Sequence, residues 1–193
     1  HLEFQEAVLD YCFGIVFRAG SGQRERRLAF WGTLALMRCV GSSPASGLSA
    51  LRNRIVNEGD RLEPQIYDED GDDEDAVDIE PGTVFDADPD LLALVTRAEE
   101  LIGKPDPKLT ALVDALTPLV KKGANPVVFC RYLATAEHVR DALRKAFPKL
   151  IVEAVTGVLT PDERRARVAD MAPVEEEKQV QRILVATDCL SEG

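Results

Sequence analysis

Apolar positions recur at helical spacing through the first third of the chain. The spacing predicts an amphipathic helix from Leu2 to about Phe17 and a second from Arg24 to Val40. A break at GSSPASG carries cap and proline signals, and a third helix is predicted from Leu48 to Val56. Residues 1–58 are therefore expected to form an all-helical segment.

Residues 59–89 interrupt this pattern because they combine dense acidic charge with glycine and proline. They hold too few apolar side chains to offset the entropy of ordering them, which predicts a flexible insertion or linker. The stretch from Asp68 to Glu80 alone carries nine acidic residues and no basic one. Such a run is either a solvated linker or a phosphate mimic that shields a basic groove.

Helical spacing returns from Asp90 to Ile102 and, after a break at GKPDP, from Lys108 to the helix terminator Gly123. Strands and helices then alternate. The pattern predicts strands at Pro126–Cys130, Leu150–Gly157 and Ile183–Thr187, with helices at Thr135–Phe147 and Pro161–Met171. Such alternation is typical of a parallel sheet with right-handed crossovers. We therefore expect an α/β lobe at residues 90–193, truncated at its carboxyl end.

The last predicted helix begins with a strong local signal. Thr160 and Glu163 have the spacing of a capping box, and Pro161 occupies the first helical position. The helix also carries three arginines within about one turn: Arg164, Arg165 and Arg167. Asp162 and Glu163 are spaced to pair with Arg165 and Arg167, which is typical of a solvated charged face.

Overall charge does not exclude a nucleic-acid partner. The formal net charge is -11, with 34 acidic and 23 basic residues. Outside the acidic run, 25 acidic residues stand against 23 basic ones, so the rest of the chain is close to neutral. A phosphate-binding face therefore remains compatible with the composition.

The cysteines and histidines predict no metal site and no covalent catalysis. The four cysteines are widely separated and lack a C-x-x-C pair, so we expect reduced core thiols: Cys12, Cys39, Cys130 and Cys189. His1 and His138 are too scattered to bind a metal with them, and His138 is expected at the surface of a charged helix.

No apolar run approaches the roughly 20 residues that a membrane-spanning helix needs, and no leader pattern opens the chain. These features predict a cytoplasmic protein without a membrane partner. Because the chain begins at His1 rather than Met and ends within a loop, we expect it to be part of a longer protein.

Candidate functional residues follow the predicted strands directly. Ligands of parallel α/β sheets bind outside the carboxyl ends of the strands. Arg131 and Tyr132 follow the first strand, Thr156 and Gly157 end the second, and Thr187 ends the third. Holding a nucleic-acid backbone without reading bases requires hydroxyls, backbone amides and a few cations, and these residues supply them. The alternatives are that the threonines cap turns and that Tyr132 packs on a helix.

Four blocks from Lys108 onward resemble, in order, the second motor lobe of superfamily two helicases, and within them the Swi/Snf-type DNA translocases. The blocks are KLTALVDAL, VVFCRYLATAEHVRDAL, VTGVLTPDERRARVADM and ILVATDCLSEG. They are similar to the entering helix, motif IV, the arginine-bearing helix with its preceding strand, and motif V. The helical opening is similar to segments that Swi/Snf-type proteins place between their two lobes. The resemblance implies a RecA-like parallel sheet with flanking helices, preceded by an all-helical segment.

The resemblance also implies roles for individual residues. Thr156, Gly157, Arg164 and Thr187 would contact the nucleic-acid backbone, which is expected to be duplex DNA. Asp188, Glu192 and Gly193 would couple this contact to an ATP site. ATP and Mg would be bound mainly by a missing first lobe of the same chain.

Departures from the family pattern limit the expected activity. Many relatives carry a glutamine where this chain has Pro161, and the chain has neither a G-K-[ST] phosphate loop nor a D-E-x-H-like motif. The fragment alone is therefore expected not to hydrolyse ATP. Two other classes stay open: a Rossmann-like ligand-binding domain, disfavoured by the lack of G-x-G-x-x-G, and a non-catalytic interaction module on a degenerate lobe.

Overall fold

The computed structural model describes residues 1–19, 22–56, 89–171 and 181–187. They divide into two compact units, His1–Lys104 and Pro105–Gly193. The predicted acidic insertion at residues 59–89 lies outside the described residues except at its last position. The sequence pattern placed the beginning of the α/β lobe at residue 90. The boundary between the two compact units along the chain lies between Lys104 and Pro105.

The described part of the first unit is helical, as predicted. Its helices are α1 (Leu2–Arg18), α2 (Gln23–Ser42), α3 (Pro44–Val56) and α4 (Pro89–Leu101). The third begins four residues earlier than predicted, because the Ser43 hydroxyl accepts a hydrogen bond from the Ser46 N–H at 3.0 Å and caps it. Helix α4 packs on α1 and α3, and this places it with the first unit rather than with the sheet.

An arginine is fully buried in the core of the helical unit. Arg54 of α3 donates a hydrogen bond to the carbonyl of Gly32 in α2 and lies close to Cys12 and Cys39. Burial raises the pKa of the Cys12 thiol to about 11, and Arg54 opposes part of that rise. Cys12, Cys39 and Cys130 are buried and form no disulfide bond among the described residues, as expected for reduced core thiols.

The second unit has the predicted α/β architecture. Its elements are α5 (Pro107–Lys121), β1 (Val127–Phe129), α6 (Leu133–Ala146), β2 (Ile151–Val155), α7 (Pro161–Asp170) and β3 (Arg182–Ala186). The three strands are parallel, in the order β1-β3-β2. The predicted fold class, a parallel sheet with flanking helices after a helical segment, is confirmed.

One face of the sheet is covered by helices. Alternate strand residues pack against Leu116 of α5 and the apolar side of α6, and they share a cluster that comprises Cys130, Ala136, Val139, Leu143, Val152, Ala154, Ile183 and Val185. The alternate positions of β1, Val127 and Phe129, face the other side and are 48% and 58% exposed. The core of this unit therefore lies on the α5–α6 side of the sheet.

One helix end of this unit follows the predicted turn chemistry, and another does not. Helix α5 ends before Gly123, whose φ of +86° is readily adopted by glycine, as the sequence predicted. Helix α6 begins at Leu133, two residues before the expected start, with Tyr132 at the N-cap position. Thr135, the expected cap, is instead buried within the first turn.

Candidate nucleic-acid interface

The three strands end at one edge of the sheet, which we call the carboxyl edge. Phe129 of β1 and Val155 of β2 both pair with Ala186 of β3. Beyond this row, the Cys130 N–H donates to the Ala186 carbonyl at 2.7 Å, and the Thr187 N–H donates to the Val155 carbonyl at 3.1 Å. The structure thus brings together the residues that follow the strands: Arg131, Tyr132, Thr156, Gly157 and Thr187.

The side chains at the carboxyl edge fall into two groups by exposure. Arg131 is exposed and Gly157 is half-buried, so a ligand can reach both of them. Thr187 is fully buried, while Thr156 and Tyr132 are 7% and 8% exposed. The threonine and tyrosine side chains are therefore part of the interior at this edge. The accessible surface there is formed by Arg131 and the turn at Gly157.

A tight turn links β2 to α7 at this edge. The Leu159 N–H donates to the Thr156 carbonyl at 3.1 Å. The predicted capping box is confirmed: Thr160 Oγ1 accepts from the Glu163 N–H at 3.3 Å, and Glu163 Oε2 accepts from the Thr160 N–H at 2.8 Å. The hydrogen bonds from the Thr160 backbone and hydroxyl lower the pKa of Glu163. The start of α7 is therefore fixed close to Gly157.

Helix α7 runs back along β2 and is tied to it by Arg167. One guanidinium nitrogen of Arg167 donates to the Ala154 carbonyl at 3.3 Å and lies 3.8 Å from Glu153 Oε2. The sequence allowed a solvated face for Arg167, and its side chain is 44% exposed, but it also contacts β2. Its partner is 13 residues away in the chain, which helical spacing does not reveal.

Glu153 also binds an arginine of α6. Arg144 donates through Nε to the Val152 carbonyl at 2.9 Å and through a terminal nitrogen to Glu153 Oε1 at 2.8 Å. We call Glu153, Arg144 and Arg167 the Glu153 cluster. The sequence did not single out Glu153 or Arg144; the available signal was an acidic residue in an otherwise apolar strand.

Arg164 precedes Arg167 by three residues, so the two side chains lie on the same side of α7. Three residues of helix advance by about 4.5 Å, so Arg164 lies that much nearer the carboxyl edge than Arg167 does. Its side chain is half-buried. Arg165 points the other way: it is 79% exposed and pairs with Asp162 at 3.1 Å, as its spacing predicted.

A second polar contact outside the predicted set joins α5 to α6. The Asp106 carboxylate caps α5 by accepting the Lys108 N–H at 2.8 Å, and its other oxygen lies 3.7 Å from His138 Nε2. The side chain of His138 is 19% exposed. His138 was expected at the surface; it is instead partly buried beside the Asp106 carboxylate.

The predicted coupling residues Asp188, Glu192 and Gly193 lie outside the described residues, as does Cys189. In the part of the chain that the structure describes, no group of three or more histidine, cysteine or acidic side chains is arranged to hold a metal ion. Among the same residues, no helix is both long enough and apolar enough to cross a bilayer.

The sequence blocks and the strand ends coincide with a known domain. Residues 107–193 match the helicase conserved C-terminal domain. The match begins at the first residue of α5 and covers less than half of the chain, so it concerns the second unit and not the helical one. It supports a helicase-type motor lobe of superfamily two, a family that generally binds nucleic acid and uses ATP and Mg. No curated protein and no solved structure matches the chain.

Proposed function

We propose that the second unit is the C-terminal motor lobe of an ATP-dependent translocase of the Swi/Snf type, which holds the backbone of duplex DNA at its carboxyl edge. The observation that carries the proposal is the convergence of Arg131, Thr156 and Thr187 at one edge of the sheet. The match of residues 107–193 to the helicase C-terminal domain supports the helicase-type motor lobe in this proposal.

The exposed and buried residues of the edge take different parts in this proposal. Arg131 and Arg164 supply cations for phosphates, and the turn at Gly157 lets a sugar-phosphate backbone approach closely. The buried threonines, Thr156 and Thr187, fix the strand ends, and Tyr132 supports the floor of the edge. Contacts of this kind are independent of sequence, as a motor that moves along DNA requires.

The ATP site is shared in this proposal with a first lobe that is not among these residues. ATP and Mg would be bound mainly by that lobe, and the loop carrying Asp188, Glu192 and Gly193 would couple nucleotide binding to the carboxyl edge. The described residues offer no cluster of metal ligands, so no Mg site is assigned to them.

Binding of a fluorescent DNA duplex across a salt series tests the edge. The affinity falls with salt, and each phosphate contact that is lost makes the slope of log affinity against log salt less steep by about 0.9. We expect that decrease for Arg131→Gln and for Arg164→Gln. The matched control is Lys149→Gln, which removes the same charge from an exposed residue just before β2, at the opposite edge of the sheet.

The control separates a site from general attraction. Equal decreases in all three variants would mean that net charge governs binding, and the proposed edge would be wrong. Single-stranded DNA and RNA oligonucleotides in the same assay determine which nucleic acid the edge prefers.

ATPase measurements test the motor assignment. The 193-residue chain is expected to show no turnover above background, with or without DNA, because the phosphate loop lies elsewhere. Turnover well above background from this chain alone would contradict the assignment of ATP to a missing first lobe.

The interaction module remains a second candidate because of the helical unit. Several of its large apolar side chains are exposed, among them Phe17 at 84%, Phe13 at 55% and Phe30 at 52%. Exposed apolar patches on a soluble domain often mark contacts with other proteins. A chain that binds no nucleic acid at any salt concentration would favour this alternative.

A further inference from the structure

In the sheet formed by the described residues, β2 is an edge strand. Its residues alternate in the direction of their backbone groups: Ile151 and Val155 bond toward β3, so Val152 and Ala154 direct their carbonyls outward. Outward carbonyls of an edge strand usually face water or attract another strand. Here the two carbonyls accept hydrogen bonds from Arg144 and Arg167 of the Glu153 cluster.

From this arrangement we infer that Glu153 is a positioning residue for the carboxyl edge: it holds Arg167, and through it α7, so that Arg164 stays close to that edge. The inference rests on the proposed function, since positioning Arg164 matters only if that arginine binds a phosphate. In this role Glu153 does not itself bind the nucleic acid.

The attachment of α7 makes this role necessary. Among its ten residues, none has a buried side chain, and its main described contact with the sheet is to β2. Apolar packing therefore fixes it weakly, and its position along β2 depends on the connecting turn and on polar contacts. Arg167 supplies two of these, one to the Ala154 carbonyl and one to Glu153.

The single carboxylate of Glu153 also sets the relation between two helices. Arg144 from α6 and Arg167 from α7 converge on its two oxygens, at 2.8 Å and 3.8 Å. If the carboxylate becomes an amide, two guanidinium groups face each other without a counter-charge. We expect Arg167, the more loosely held of the two, to leave and α7 to shift.

The sign of the effect of Glu153→Gln on DNA binding is the decisive readout. Removing an acidic charge beside a basic edge strengthens DNA binding if only net charge matters. If Glu153 positions Arg164, the opposite is expected. One phosphate contact is lost, so affinity falls about tenfold and the slope of log affinity against log salt becomes less steep by about 0.9.

Arg167→Gln and Arg165→Gln form a matched pair on the same helix. Both remove one positive charge, but only Arg167 contacts β2, while Arg165 pairs with Asp162 in solvent. Arg167→Gln is expected to weaken binding as strongly as Glu153→Gln and to speed amide hydrogen exchange in α7. Arg165→Gln is expected to leave the exchange of α7 close to that of the wild type.

Further variants test whether Glu153 and Arg167 act together. The double variant Glu153→Gln with Arg167→Gln is expected to lose no more affinity than either single variant. Arg167→Lys is expected to recover little, since one ammonium group does not reproduce both contacts. Thermal unfolding of each variant confirms that the unit remains folded.

The outcomes separate this inference from the proposed function. If the wild type binds no DNA duplex, the proposed function fails and the role of Glu153 fails with it. If the wild type binds and Arg131→Gln weakens it, but Glu153→Gln strengthens binding or Arg167→Gln equals Arg165→Gln, only the positioning role is overturned.

Discussion

The two helices that follow β1 and β2 are held in opposite ways. Helix α6 places four side chains in the interior, Thr135, Ala136, Val139 and Leu143, and packs across β2 and β3. Helix α7 buries none and is held at its start by a capping box and at its middle by Arg167. The comparison indicates that α6 belongs to the scaffold, whereas α7 can adjust to a ligand without unfolding the sheet.

The largest expected effect is on α6. Leu143→Ala removes a fully buried side chain from the core cluster and is expected to destabilise the unit by about 2–5 kcal/mol. Amide hydrogen exchange of β3 in a urea series measures the loss for this unit alone. The control on α7 is Val168→Ala, where a side chain that is 39% exposed is shortened, and we expect under about 0.5 kcal/mol.

An intermediate effect is expected at the start of α7. Thr160→Ala removes the hydroxyl that accepts the Glu163 N–H and should cost α7 about 1 kcal/mol. Amide exchange is expected to accelerate within α7 and to stay unchanged in β3. A loss of protection in β3 of the same size would show that α7 is as much a part of the scaffold as α6.

A smaller effect depends on pH. Because the folded state lowers the pKa of Glu163, its capping contribution is complete above the ordinary carboxyl pKa and disappears as pH falls through the lowered value. Exchange in α7, corrected for its intrinsic pH dependence, is expected to rise below about pH 4.5 in the wild type. Glu163→Gln should abolish this rise, since the amide does not titrate in that range; a persistent rise would assign it to another group.

The smallest expected effect is on stability in Arg165→Gln. Its partner Asp162 is 94% exposed, and an exposed pair three residues apart contributes less than about 0.5 kcal/mol. The unfolding midpoint in urea should remain within error of the wild type. A clear shift would mean that surface pairs, and not only the cap and Arg167, stabilise α7.

Local signals in the sequence predicted the features that depend on near neighbours. Helical and alternating periodicity gave the types and order of the elements, and the Thr160 capping box and the Gly123 terminator were predicted from three or four adjacent residues. The convergence of Arg131, Thr156 and Thr187 followed from a general rule about parallel strands.

Long-range contacts were not predictable in this way. The contact of Arg167 with Ala154 joins two different elements, and so does that of Asp106 with His138. The chain holds many basic and acidic residues, and their spacing does not indicate which of them meet in the fold. The packing of α4 on α1 and α3 was not predicted, because an amphipathic stripe indicates that a helix packs against something but does not indicate which element it packs against.

Cys130 gives the carboxyl edge a natural chemical reporter. It precedes Arg131, bonds through its backbone to Ala186, and is 8% exposed. Its thiol lies in the core cluster between the sheet and helices α5 and α6, so its rate of labelling by a thiol reagent measures how often the packing beside this edge opens. Nucleic acid bound to the neighbouring residues would slow that reaction. The fraction of protein that has nucleic acid bound could then be followed without attaching a dye.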